Sequence, residues 1–298
     1  MAIAAPPALP TDLAERVRAT VVLLERRGYS LPANRLGGIC LGGPVSEAAV
    51  VASLAPAALR QVDGIVCSEA LLPAAATASR RQAGHLRQSA PYLAEAVAFA
   101  HLLARLFPFV IAVSIAGSLA SGGFTETDDV DLNLVVEDGY RHVAYFALNA
   151  LGVLHALRHR GKPVDSLSAR PISPRVMTAN LLLERSQCFP LARTDADMAY
   201  ELLASIPVIG ARFLAEVVAA NGALLTHFPQ LADRPPTLAR DPRGRVPRWV
   251  YPRILDVPAR ALGLAAWRYL QWTRRKHPEA VARVAYVRET MRPYTLFE

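Results

Sequence analysis

Between Ile111 and Val136 two strand-like runs enclose a loop of small and polar residues. The first, Phe109 to Ala116, is apolar and rich in β-branched side chains, the composition of a strand buried on both faces. The second alternates. Val130, Leu132 and Leu134 fall on one side, and Asp129, Asp131 and Asn133 on the other, because successive side chains of a strand point in opposite directions. One face can pack under helices, while two carboxylates project from the other, about 6–7 Å apart along the strand. After this pair the sequence predicts an amphipathic helix over 140–160 and a third strand over 175–184. Strand, loop, strand, helix, strand is an α/β (α+β) order, built on a small mixed sheet.

The flanks read differently. Residues 11–27 have helical spacing behind a Thr11 or Asp12 cap. The segments 46–54 and 56–62, with a strand or turn from Cys67, suggest a small winged-helix-like unit. A helix is expected from about Pro91 to Leu106, stopping before Pro108. Beyond Cys188 four more helices are expected, over 195–204, 210–220, 259–275 and 278–291, with a Pro/Arg-rich connection over 233–258. The organisation that follows is a helical N-terminal module (1–89), an α/β core (90–190) and a helical C-terminal module (191–298). At 298 residues, 52% hydrophobic and 19% charged, the chain is long and apolar enough to bury such a core.

The Asp129/Asp131 pair carries the chemistry. Carboxylates this close repel each other unless a cation lies between them. All-oxygen ligands suit Mg²⁺ or Mn²⁺, which keep positions open for phosphate oxygens and water. Gly117 and Ser118 directly follow the buried strand, where glycine admits a close backbone approach and exposed N–H groups with a hydroxyl can hold a phosphate. These parts suit in-line displacement at a nucleotide α-phosphate.

Gly117-Ser118, ten residues, then Asp129-x-Asp131 inside an apolar strand resembles the signature of the nucleotidyltransferase superfamily, whose fold is like that of DNA polymerase β. The likeness covers Ile111 to Val136 well and reaches loosely to Glu184. The resemblance implies that Gly117 and Ser118 bind the triphosphate of an NTP, with ATP the first choice. It implies that Asp129 and Asp131 hold Mg²⁺ or Mn²⁺. The product would be a nucleoside monophosphate joined to a small-molecule or protein acceptor, with pyrophosphate released. The chain departs from the family in one place. The third carboxylate of the next core strand falls at Asn180, which can ligate a metal through its carbonyl but cannot act as a base. Glu184 lies too far along, about 13 Å from Asn180, and Asp165 sits in the preceding loop. The site is therefore either charge-poor, with one metal, or no longer catalytic. The alternative function is an inactive member of the fold that binds nucleotide or RNA.

Other motifs fail. An EF-hand opening at Asp129 meets Leu134 where glycine belongs and Tyr140 where Glu belongs. No Walker loop, GxGxxG or GxSxG is present. Cys40, Cys67 and Cys188 have neither zinc nor disulfide spacing, which fits a reduced, cytoplasmic setting. Arg105 and Pro108 interrupt the longest apolar stretch, so no membrane span is expected. His142, His155 and His159 read as helix-face residues rather than catalysts. The net charge of +8 is carried by residues 233–298, which offer a surface for nucleic acid or simply a solvated helical face. Trp267, Tyr269 and Trp272 beside Arg268, Arg274 and Arg275 could stack on bases or pack within the module.

Overall fold

In the computed structural model, which describes residues 10–162, 176–233, 244 and 246–297, the two apolar runs form the central strands of one sheet. Three helices open the chain: α1 (Leu13–Glu25), α2 (Ala33–Gly38) and α3 (Glu47–Ser53). Asp12 caps α1 by accepting from the Glu15 amide at 3.1 Å, and Ser46 caps α3 from Ala49 at 3.2 Å. A hairpin follows, β1 (Leu59–Val62) and β2 (Ile65–Ser68), closed by Asp63 and Gly64 at φ 48° and 81°. Two consecutive positive φ values match the twist of a two-residue hairpin turn.

The next helix, α4, runs from Ala75 to Leu106 and is longer than the sequence suggests, because Pro91 lies inside it. Proline removes a single N–H there, and the two halves of α4 are held separately. Arg81 and His85 bond to the loop over 122–128, while Ala96, Phe99, Ala100 and Leu103 are buried against the sheet. The expected boundary at residues 89 and 90 thus falls within an unbroken helix.

The main sheet has the order β5-β4-β3-β6, from β3 (Val110–Ala116), β4 (Val130–Val136), β5 (Met177–Glu184) and β6 (Ile206–Ile209). The β4–β5 pair is parallel, and β3 runs antiparallel to both β4 and β6. A short helix, α5 (Gly117–Ser121), turns the chain from β3 towards β4, and α6 (Arg141–Ala156) crosses from β4 to β5. β6 was not foreseen. Its Pro207 argues against a central strand but is tolerated here on the sheet edge.

The alternation of β4 divides the core as its sequence requires. Val130, Leu132, Leu134 and Val136 join one buried cluster with α4 and α6. Val135, with Leu181 and Leu183 of β5, joins another under α1–α3 and the later helices α7 (Ala196–Ala204), α8 (Ala211–Ala220) and α9 (Ala223–His227). Each fully buried side chain such as Leu132 or Ile115 contributes roughly 1.5–3 kcal/mol. The fold is therefore mixed α/β, with helices on both faces of the sheet.

Two last helices, α10 (Asp256–Arg274) and α11 (Pro278–Met291), close the chain. Asp256 caps α6 from outside, accepting from the His142 and Val143 amides at 2.7 and 3.0 Å while its other oxygen meets His142 Nδ1 at 2.7 Å. Trp249, Tyr269 and Trp272 remain exposed, and the Arg275 guanidinium lies 5.0 Å from the Trp272 ring. All three cysteines are free and buried, and burial pushes the Cys188 thiol up to about 12. Among the described residues no helix is long and apolar enough to cross a membrane.

Candidate functional site

The site forms where β3 ends and β4 begins. Ala116 pairs with Asp131 in the antiparallel register, so the turn into α5 lies directly against the carboxylate. Gly117 has φ 62°, and a Cβ built on it would stand 2.1 Å from Asp131 Oδ2 and 2.9 Å from its Cγ. Only glycine admits both this conformation and this approach. Asp131 is fixed from the other side as well, because Thr178 Oγ1 of the parallel strand β5 donates to its Oδ1 at 3.0 Å.

The neighbouring carboxylates are held differently. One oxygen of Asp128 accepts from Arg81 Nη2 at 2.7 Å, Ser118 Oγ at 2.9 Å and the Thr125 amide at 3.1 Å. Asp128 therefore ties α5 and the loop over 122–128 to α4. Arg81 Nε also donates to the Gly123 carbonyl, and the Phe124 amide donates to His85 Nδ1 at 3.2 Å. Asp129 receives no hydrogen bond among the described residues, which leaves its oxygens available to a ligand.

Lys162 was not singled out by sequence reasoning, although it is one of only two lysines in an arginine-rich chain. It is 9% exposed, and its Nζ donates to the Asp128 carbonyl at 2.7 Å. Burial lowers its pKa, against the opposing pull of Asp129, Asp128 and Glu126. A compact ammonium concentrates charge where a guanidinium would spread it.

Glu201 of α7 was also missed, and its place in a helix after the core gave no local signal. It is buried, and its Oε1 accepts from Asn133 Nδ2 at 2.9 Å and Asn180 Nδ2 at 2.8 Å. Arg27, on the chain leaving α1, approaches its other oxygen at 3.4 Å and bonds Asp197 at 3.0 Å. Asn180 also donates to Asn133 Oδ1 at 2.9 Å. A bulge between Leu132 and Asn133 shifts the β4–β5 register, so Thr178 stands opposite Asp131 while Asn180 sits beside Asn133. The amide of Asn180 is thereby engaged with Glu201 and Asn133, one step further along the strand than the Asp129/Asp131 pair. Glu184 accepts from the Gly139 amide at 2.7 Å near the opposite end of the strand, and Asp165 lies outside the described residues.

The structure brings Gly117, Ser118, Asp129 and Asp131 together on an open cleft of about 130 Å³, with Arg27, Arg81 and Glu201 on its walls. A hard divalent cation fits this donor set. Four carboxylates line the cleft, of which Asp128 and Glu201 are engaged by hydrogen bonds within the protein, and among the described residues no imidazole or thiol lines it. Comparison with protein-family models, with curated proteins and with solved structures returns no match.

Proposed function

We propose that this cleft binds a nucleoside triphosphate, ATP in the first instance, together with Mg²⁺ or Mn²⁺, and transfers its nucleoside monophosphate to a small-molecule or protein acceptor with release of pyrophosphate. One observation carries the reading: Asp131 packs against the glycine turn so closely that a methyl group could not intervene. A backbone turn suited to hold phosphate and a carboxylate suited to hold a metal would thus be neighbours, as transfer at a phosphate requires.

Asp129 and Asp131 would hold the cation, which when bound neutralises charge on the phosphate oxygens. The amides at Gly117 and Ser118 would orient the departing phosphates. The Ser118 hydroxyl proton is engaged with Asp128, so its grip on a phosphate requires that bond to exchange. Thr178 positions Asp131 by donating to the oxygen that faces β5. Arg81 and Lys162 supply positive charge around the loop, and Lys162 lies in the field of Asp129.

A second reading, a binding protein that holds nucleotide or RNA without transferring it, is favoured by β5. That strand offers Thr178 opposite Asp131 and Asn180 one step further along, while its one carboxylate, Glu184, lies at the far end and is engaged with Gly139, too distant to take a proton from the acceptor. Calorimetric titration of ATP, GTP, CTP and UTP with Mg²⁺, run on the wild type and on Asp129→Ala/Asp131→Ala, tests the site. Metal-dependent binding of a nucleotide, lost in the double variant, supports it. Pyrophosphate release with a pool of candidate acceptors then separates transfer from mere binding. RNA binding that weakens steeply with salt, without pyrophosphate release, supports the second reading. Absence of nucleotide binding with and without the acceptor pool sinks the first.

A further inference from the structure

On the opposite face of the sheet from the acidic cleft, α4 and the end of α6 bring Glu95, His155 and His159 together. His155 and His159 are four residues apart, so they lie one above the other on the helix surface. Their rings stack with centroids 5.0 Å apart. Glu95 Oε2 stands 2.9 Å from His159 Nε2 and 3.8 Å from His155 Nε2, and one ligand atom from each residue falls within 4.8 Å of the others.

These are the spacings of a metal site. Zinc bonds of about 2.0–2.1 Å in a tetrahedron put ligand atoms roughly 3.3 Å apart, and the two carboxylate–imidazole distances straddle that value. The hydrogen bonding points the same way. Glu95 Oε2 is buried and makes no hydrogen bond, because the His159 approach is close in distance but wrong in direction for an N–H donor. A carboxylate oxygen withdrawn from water and lacking a donor is destabilising unless something else satisfies it. A cation shared by the three side chains would do so.

We infer that Glu95, His155 and His159 form a binding site for a divalent transition-metal ion of the zinc class, separate from the acidic cleft. Imidazole nitrogen favours zinc, cobalt, nickel and copper over magnesium and calcium, which select oxygen. Three protein ligands leave a fourth position open, and Glu95, the most exposed of the three at 37% against 16% and 22%, marks the side on which solvent or a small ligand enters. His155 Nδ1 is buried without a partner. The site therefore lacks one outer-shell acceptor, and its affinity is expected to be on the order of 10–100-fold below that of a fully supported site.

The metal would clamp α6 onto α4. The His159 carbonyl accepts from the Lys162 amide at 2.9 Å, and Lys162 in turn bonds the Asp128 carbonyl, so the clamp fixes the chain that carries Lys162 to the acidic loop.

The test uses tag-free, full-length protein stripped of metal and titrated with Co²⁺ and Zn²⁺. The expected result is one cobalt with the intense visible bands of a four- or five-coordinate centre, displaced by zinc, absent in His155→Gln/His159→Gln and weakened at least tenfold in Glu95→Gln. Asp129→Asn/Asp131→Asn should bind cobalt as the wild type does. Circular dichroism of the metal-free variants identifies any that fail to fold, and Glu95→Gln, nearly isosteric and partly exposed, then carries the test. Lack of such bands in the wild type overturns the inference, as does cobalt binding that survives both the Glu95 and the histidine substitutions. Loss of binding in the Asp129/Asp131 variant instead would place the metal in the cleft and also overturn it.

Discussion

Gly117→Ala is the sharpest perturbation of the acidic cleft. At φ 62° an alanine pays about 1–2 kcal/mol relative to glycine from the contact of its Cβ with its own backbone. The new methyl also lands 2.1 Å from Asp131 Oδ2 and 2.9 Å from both Cβ and Cγ. Asp131 cannot retreat with its backbone, because β4 lies between β3 and β5 and is hydrogen-bonded to both. Its carboxylate must instead rotate away and lose the Thr178 bond, with an overpacking cost of about 1–3 kcal/mol. The total is about 2–5 kcal/mol, measured by urea unfolding. Gly122→Ala is the control. Gly122 also has positive φ, 104°, but the atoms nearest its added methyl belong to the Arg35 guanidinium, the far end of a flexible side chain. Both variants should lose stability, and only Gly117→Ala should lose the metal–nucleotide binding proposed for the cleft. A Gly117→Ala protein with wild-type unfolding would refute the packing argument whatever the cleft binds. Equal loss of binding in both variants would show that loop strain, rather than displacement of Asp131, controls the site.

Other outcomes follow from the same contacts. Glu201→Leu strips the buried Asn133 amide of its acceptor, leaves the half-buried Asn180 amide with Asn133 Oδ1 alone and removes one of the carboxylates paired with Arg27, so urea unfolding should show a loss of about 3–5 kcal/mol. Asp128→Asn weakens three hydrogen bonds to one oxygen, at a cost of about 1–3 kcal/mol, and hydrogen exchange at the Phe124 and Thr125 amides should quicken while the Lys162 bond to the Asp128 carbonyl persists. Asp129→Asn should leave stability within about 0.5 kcal/mol of wild type and abolish metal-dependent nucleotide binding, the reverse of the Asp128 pattern. Burial lowers the imidazole pKa of His85, helped by Arg35, and of His227 against the pull of Asp195. A lowered histidine pKa means the folded state favours the neutral ring, so their contribution to stability is present above about pH 6.5 and is lost as pH falls below it. NMR titration of the ring protons checks this, and midpoints at or above 6.5 would contradict it.

Much of the fold was legible because its signals are periodic. The β4 alternation placed Asp129, Asp131 and Asn133 on one face, and the runs that became β3, α6, β5, α7, α8, α10 and α11 stood out by pattern and length, while the five-residue α9 was too short to do so. Misses came where tertiary contact overrides a local rule. Pro91 reads as a helix start, yet α4 passes through it because each half is anchored to a different part of the protein. Pro207 reads as a break, yet an edge strand needs only one row of hydrogen bonds. Asp63-Gly64, between Val62 and Ile65, carries the sequence signal of a two-residue hairpin turn, which the expected segment over 56–62 did not include. In the cleft, the motif residues were legible and their partners were not. Arg81, Lys162 and Glu201 arrive from α4, from beyond α6 and from α7, and no spacing rule links positions that far apart in the chain. The bulge that separates Thr178 from Asn180 likewise shifts the β5 register by one residue, a displacement invisible without the pairing.

The three acids at the head of β4 show how a short motif acquires distinct tasks from its surroundings. Asp128 faces a guanidinium, a hydroxyl and an amide, all converging on one oxygen, and so acts as a fastener for the loop. Asp131, the first residue of β4 to pair with β3, is clamped between a glycine and a threonine, which fix its direction while leaving Oδ2 on the glycine side. Asp129 has no such partner among the described residues. It acts on Lys162 through space, pulling that ammonium's pKa upward against burial. A rigid carboxylate beside an unengaged one, over an open cleft, is the arrangement that gains most from a bound cation, because the cation removes repulsion without having to displace existing hydrogen bonds from Asp129. That asymmetry is why the pair Asp129/Asp131, rather than Asp128, should govern ligand binding, and why Asp128 should govern the integrity of the loop.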